Sequence, residues 1–152
     1  MDWLKNNFSR LRSDEAPLFI VCSLTKIFAL PGLRLGFGLG PPDLVRKMEL
    51  ARDPWSVNSL AVEAGMACWE ETEYLKRSFE LVRRERDYLI RSLAELPGLN
   101  PFPSRANFLL VNCRKTGRTA AEIAEAAAAK RCLLRNADNF AGLDKYYLRL
   151  AV

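Results

Sequence analysis

Histidine is absent from this sequence. That excludes an imidazole-based catalytic triad or histidine metal site within the chain, and it leaves proton transfer to lysine, an acid or tyrosine. Cysteine is sparse: Cys22, Cys68, Cys113 and Cys132 lie far apart, with no CxxC pair. Zinc is therefore not expected. Each cysteine sits in apolar sequence, so the expectation is buried, reduced thiols in a cytoplasmic protein. No run reaches the roughly eighteen apolar residues of a membrane span. The start, Met1-Asp2-Trp3-Leu4-Lys5, is not a charged segment followed by an apolar one, so no signal peptide is expected. Internal repeats and low-complexity tracts are also missing.

What is there suits one soluble domain: 152 residues, 49% apolar and 27% charged. The net charge is +5. The densest basic group, Lys76, Arg77, Arg83, Arg84 and Arg86, is interleaved with Glu80, Glu85 and Asp87. This pattern reads as the solvated face of a long helix, not a nucleic-acid patch. A mild positive balance also suits small anionic molecules. Neither a nucleic acid nor a membrane is an expected partner.

Along the chain, residues 2–12 carry Trp3, Leu4, Phe8 and Leu11 at helical spacing. Leu18 to Cys22 reads as a strand buried on both faces, and Arg34 to Leu39 as the next strand. The glycines at 36, 38 and 40 permit close approach of another backbone or a ligand. Helices are expected from Pro41-Pro42-Asp43 to Ala51, from Val57 to Trp69, and from Thr72 to Leu96, where Pro97-Gly98 ends the run. Phe108 to Cys113 is a strand, and Thr119 to Lys130 a helix with Thr119 and Glu122 placed for a capping box. Cys132 to Arg135 and Tyr146 to Val152 are further strands, giving a small α+β layer.

The chemistry concentrates in Ser23-Leu24-Thr25-Lys26-Ile27-Phe28-Ala29-Leu30-Pro31-Gly32-Leu33-Arg34-Leu35-Gly36-Phe37-Gly38. Short hydroxyls and a fixed cation bring donors and positive charge to one anion, as a phosphate requires. A lysine between two apolar strands is expected to be poorly solvated, which favours the free, nucleophilic amine. The bare alternative is a surface lysine and arginine flanking a hairpin.

Ser-x-Thr-Lys with arginine eight residues on resembles the lysine segment of fold-type I pyridoxal-phosphate enzymes, the aminotransferase class I/II group. The resemblance implies an α/β chain carrying the C-terminal part of that fold: the end of the large-domain sheet, a long linking helix and a small α+β domain. The implied division is 1–70 as a remnant of the large cofactor-binding domain, 71–96 as the linking helix, and 97–152 as an incomplete small domain. It further implies that Lys26 carries pyridoxal 5'-phosphate covalently, and that Ser23, Thr25 and Arg34 hold the cofactor's phosphate.

A second constellation is Leu133-Leu134-Arg135-Asn136-Ala137-Asp138-Asn139-Phe140, with Gly142 and Tyr147-Leu148-Arg149-Leu150-Ala151-Val152. By the same resemblance Arg149 pairs with the substrate carboxylate through its planar fork, and Arg135 matches a second substrate-facing arginine. Read alone, Arg149 is equally a strand-edge arginine in a surface salt bridge. Pro54-Trp55-Ser56-Val57-Asn58-Ser59-Leu60-Ala61 resembles the stretch near the dimer interface and active-site mouth, which makes Asn58 a substrate-binding candidate; as a bare pattern it is a helix start.

Within the family, the resemblance leans toward the branch that decarboxylates O-phospho-L-threonine in cobalamin biosynthesis. Aminotransferases of the histidinol-phosphate type are the alternative. It implies an amino acid or phospho-amino acid substrate and a homodimer. It covers only the latter half of a full-length member, so a fragment or short reading frame is expected. The pyridine-nitrogen partner and the ring-stacking residue would then lie outside the chain. A domain that only packs or dimerises is the third reading, because apolar strand edges seek partners.

Overall fold

The structure is a computed structural model and describes residues 18–152; the helix expected over residues 2–12 lies outside them. The chain divides into two compact units, the first ending at Leu75 and the second running from Lys76 to Val152.

In the first unit, β1 (Ile20–Ser23) pairs antiparallel with β2 (Gly36–Leu39), with Ile20 opposite Leu39 and Ser23 opposite Gly36. The pairing needs glycine at 36, because a Cβ there would sit 2.6 Å from the Cys22 carbonyl oxygen. Phe19 uses the space over Gly38 and Gly40, where added Cβ atoms would each come within 2.4 Å of its ring. The expectation that the Leu18–Cys22 strand is buried on both faces fails: Ile20 and Cys22 are half-buried, whereas Val21 is 79% exposed. A two-stranded ribbon alternates its side chains, so only one face is covered.

Two helices follow, α1 (Pro42–Ala51) and α2 (Ser59–Glu70). Pro42 opens α1, where a missing N–H costs nothing. A third helix, α3 (Thr72–Ala94), begins in the first unit and continues into the second. Its Arg83 and Arg84 are exposed and sit beside Asp87 and Glu85. Arg86 departs from the solvated face expected of it: its side chain is only 15% exposed and donates to the Ala106 carbonyl at 3.3 Å.

The second unit is a four-stranded antiparallel sheet with a helix. Its strands are β3 (Asn100–Pro101), β4 (Phe108–Asn112), β5 (Arg135–Asn136) and β6 (Tyr147–Ala151), in the order β3-β4-β6-β5. β3 escaped the sequence reading because two residues ending in proline carry no periodicity. The strand expected from Cys132 is shorter, starting at Arg135, and Cys132 is exposed. Among the cysteines only Cys113 is buried. Its thiol donates to the Tyr146 carbonyl at 3.1 Å, and burial pushes its pKa up.

Period-two alternation places Leu109, Val111, Leu148 and Leu150 on one face, with Leu109 opposite Leu150 and Val111 opposite Leu148. That face forms the core with Cys113 and Ala120, and Leu89, Ile90 and Leu93 of α3 pack against it. The helix α4 (Ala120–Ala128) is fixed by the expected capping box: Thr119 Oγ1 accepts from the Glu122 N–H, and the Thr119 N–H donates to Glu122 Oε2 at 2.7 Å. The Thr119 backbone and hydroxyl donors hold the Glu122 carboxyl below the usual carboxylate range.

Two outcomes follow for stability. Leu109→Ala, at a fully buried position, should cost about 2–5 kcal/mol in denaturant unfolding. Glu122→Gln should lower the melting temperature at neutral pH, since a depressed folded pKa gives stability above the unfolded value. The difference from wild type should vanish as pH falls through the acidic range where Glu122 itself protonates.

Candidate functional site

The loop closed by β1 and β2 carries the lysine segment. The Leu24 N–H donates to the Leu35 carbonyl at 3.1 Å, extending the ladder one step into the loop. Inside it, residues 25–29 form a compact turn: Phe28 N–H bonds Leu24 O, Ala29 N–H bonds Lys26 O, and Leu30 N–H bonds Thr25 O at 2.9 Å. A short 3₁₀ turn, Pro31–Leu33, then leads to Arg34 in the left-handed region, φ 53°.

Ser23 Oγ and Thr25 Oγ1 lie 2.8 Å apart, and Thr25 is buried. The two hydroxyls are thus hydrogen-bonded to each other at the mouth of the hairpin, one donating and the other accepting. The Arg34 side chain is exposed, and one of its amino groups donates to the Pro31 carbonyl at 3.1 Å. Lys26 is exposed as well, contrary to the expectation of a poorly solvated amine. The reason is local: the ladder ends at Ser23 and Gly36, so Lys26 lies in the turn beyond it and not between two strands.

Asn58 is committed to the backbone at both ends of its amide. Its Oδ1 accepts from the Ala61 N–H at 2.8 Å, capping α2, and its Nδ2 donates to the Leu33 carbonyl at 3.4 Å. The arrangement ties the start of α2 to the turn before Arg34. The family resemblance makes Asn58 a substrate-binding candidate; the contacts it makes here are those of the helix start that the bare pattern reads.

In the second unit, Arg135 of β5 and Arg149 of β6 stand directly opposite each other in register. Alternation puts Arg149 on the face away from Leu148 and Leu150, where its guanidinium lies 4.4 Å from the centre of the Phe108 ring. Arg135 lies 5.2 Å from the Phe140 ring. Among the described residues neither guanidinium has a carboxylate at ion-pair distance. Like charges facing across a ladder are unfavourable, and each guanidinium is instead stacked on its own aromatic ring, Arg149 on Phe108 and Arg135 on Phe140. The surface salt bridge considered for Arg149 is not formed among these residues.

Sequence reasoning missed Tyr74. Its hydroxyl donates to the Ile27 carbonyl at 2.9 Å, and its ring stacks on Phe28 with centroids 5.6 Å apart. The separation of 47 positions between Tyr74 and Ile27 hides this contact from any local pattern. Among the described residues no helix is long and apolar enough to cross a membrane, and no cluster of ligand residues could hold a metal.

Comparison with known proteins bears directly on this loop and sheet. Residues 6–145 match the family model for aminotransferase class I and II. The chain is 37% identical over 142 residues to the histidinol-phosphate aminotransferase of Methanothermobacter thermautotrophicus, covering 93% of this chain and 38% of that protein. It is 34% identical over 140 residues to the threonine-phosphate decarboxylase of Salmonella typhimurium, with 91% and 38% covered. The crystal structure of the histidinol-phosphate aminotransferase from Clostridium acetobutylicum superposes with a TM-score of 0.82 at 28% identity, over 89% of this chain and 40% of that one. L-threonine-O-3-phosphate decarboxylase from Porphyromonas gingivalis gives 0.79 at 30% identity, over 89% and 41%. The chain therefore spans about two fifths of the length of these relatives. Its fold is the corresponding part of the α/β pyridoxal-phosphate-dependent transferase fold, and the chain belongs to the aminotransferase class I and II family of pyridoxal-phosphate-dependent enzymes.

Proposed function

We propose that this chain supplies the lysine and the substrate arginines of a pyridoxal-phosphate-dependent decarboxylase acting on O-phospho-L-threonine, working as a homodimer. The observation that carries the reading is the register of Arg149, beside Phe108, opposite Arg135, with neither guanidinium in an ion pair among the described residues, in a chain whose other polar cluster suits a phosphate.

The cofactor fits the residues present. Ser23 and Thr25 offer adjacent hydroxyls and Arg34 a guanidinium, which match a phosphate monoester. When bound there, pyridoxal phosphate supplies an electron sink for a bond broken at a substrate Cα. Lys26 is the amine that carries the cofactor and holds or moves the proton at Cα. Arg149 grips the substrate carboxylate bidentately, and Arg135 offers charge to a second anionic group such as a phosphate. How the arginines orient the carboxylate decides whether CO₂ or the Cα proton leaves, so decarboxylation and transamination differ by a rotation of the substrate and not by new residues.

Two other readings have specific support. Amino transfer of the histidinol-phosphate type is favoured by the relative at 37% identity that bears that name. A packing domain without activity is favoured by the exposed apolar side chains of the first unit, Val21, Trp55, Leu60 and Met66, which offer surface to a second copy.

The readings separate in one set of assays. The decarboxylase predicts CO₂ release from O-phospho-L-threonine in the presence of pyridoxal phosphate, falling to background in Lys26→Ala. Amino transfer to 2-oxoglutarate without CO₂ release would replace it by the aminotransferase. A stable dimer with neither activity would leave the packing domain. Arg149→Lys keeps the charge but loses the fork, and KM for the substrate should rise about ten- to a hundredfold, the size of a charged hydrogen bond.

A further inference from the structure

We infer that Tyr74 is a positioning residue for Lys26, acting as a clamp on the turn that presents the amine. The inference rests on the reading of Lys26 as the cofactor-bearing lysine. Tyr74 lies in the first turn of α3, and its hydroxyl donates to the carbonyl of Ile27, the residue directly after Lys26. Its ring stacks on the next residue, Phe28, at an interplanar angle of 21°. One side chain therefore grips the peptide between Ile27 and Phe28 from two directions. The turn needs such a grip, because Ala29 stands in the left-handed region at φ 52°, which an alanine adopts at a cost. The turn's own bonds, from the N–H groups of Phe28, Ala29 and Leu30 to the carbonyls of Leu24, Lys26 and Thr25, run from 2.9 to 3.3 Å. They fix the loop internally. Tyr74 ties it to a helix.

The consequence is geometric. The Lys26 side chain is exposed and long, so its reach is set by where its Cα and the following peptide are held. Tyr74 needs no contact with cofactor or substrate to do this. The hydroxyl and the ring make separable contributions, because phenylalanine keeps the stack and loses only the hydrogen bond.

The test compares wild type, Tyr74→Phe and Tyr74→Ala. Each is incubated with pyridoxal phosphate, reduced with borohydride, and mapped by peptide mass for label at every lysine. Amide exchange at Phe28, Ala29 and Leu30 is followed in parallel without cofactor. The expected result is slower labelling of Lys26 by about three- to tenfold in Tyr74→Phe, the size of one hydrogen bond. A larger loss is expected in Tyr74→Ala, with faster exchange at the three amides in both variants. Labelling of Lys47, Lys115 and Lys145 should stay unchanged, whereas general loosening of the fold would move them all. Equal labelling of Lys26 and equal exchange in Tyr74→Phe would overturn the inference. If wild type itself takes no label at Lys26, the cofactor reading fails, and the exchange rates alone then decide whether Tyr74 holds the turn.

Discussion

Four backbone pairings, from Ile20 with Leu39 to Ser23 with Gly36, close the hairpin on which the candidate site depends. They set Ser23 and Thr25 in a fixed relation to Arg34, helped by the Leu24 N–H bond to the Leu35 carbonyl just inside the loop. The ladder holds because Gly36 leaves room for the Cys22 carbonyl, and because Phe19 covers Gly38 and Gly40 in place of missing side chains. A loop closed this tightly can store left-handed residues. Ala29 and Arg34 both take positive φ inside it, Ala29 at the end of the turn and Arg34 directly after the 3₁₀ segment.

The second unit rests on a different constraint. Strand alternation separates its chemistry from its core, with Leu148 and Leu150 pointing one way and Arg149 the other. An arginine can therefore sit in the middle of a strand without burying its charge, and Phe108 packs against its guanidinium on the outer face. The capped helix α4 closes the apolar face through Ala120 and Ile123.

Much of this was legible in the residues. The hydrophobic spacing of α3, the Thr119–Glu122 cap and the strand from Phe108 all follow from patterns local in sequence, and the structure places them within a few residues of expectation. The lysine segment was recognisable because its polar residues and glycines recur at fixed spacing. The features that escaped depend on contacts across long separations. Lys26 lies beyond the end of its ladder, and no count of apolar neighbours reveals where a ladder stops. Asn58 reads as a polar residue before a helix, yet its amide also reaches Leu33, 25 residues earlier. Arg86 looks like its charged neighbours on α3 until the carbonyl of Ala106 is seen beside it. Two-residue strands such as β3 and β5 exist only because a longer partner is present to pair with them.

The facing arginines of β5 and β6 have a mechanical side. β5 is only two residues long, and one of its two paired positions sets an arginine opposite another. Repulsion at that position works against the ladder for as long as both cations stay unscreened. An anion seated between them would reverse the sign of the interaction, turning a strained edge into a cross-link. Occupancy would then be felt as stiffness: the sheet's outermost strand would be docked most firmly when the receptor is filled.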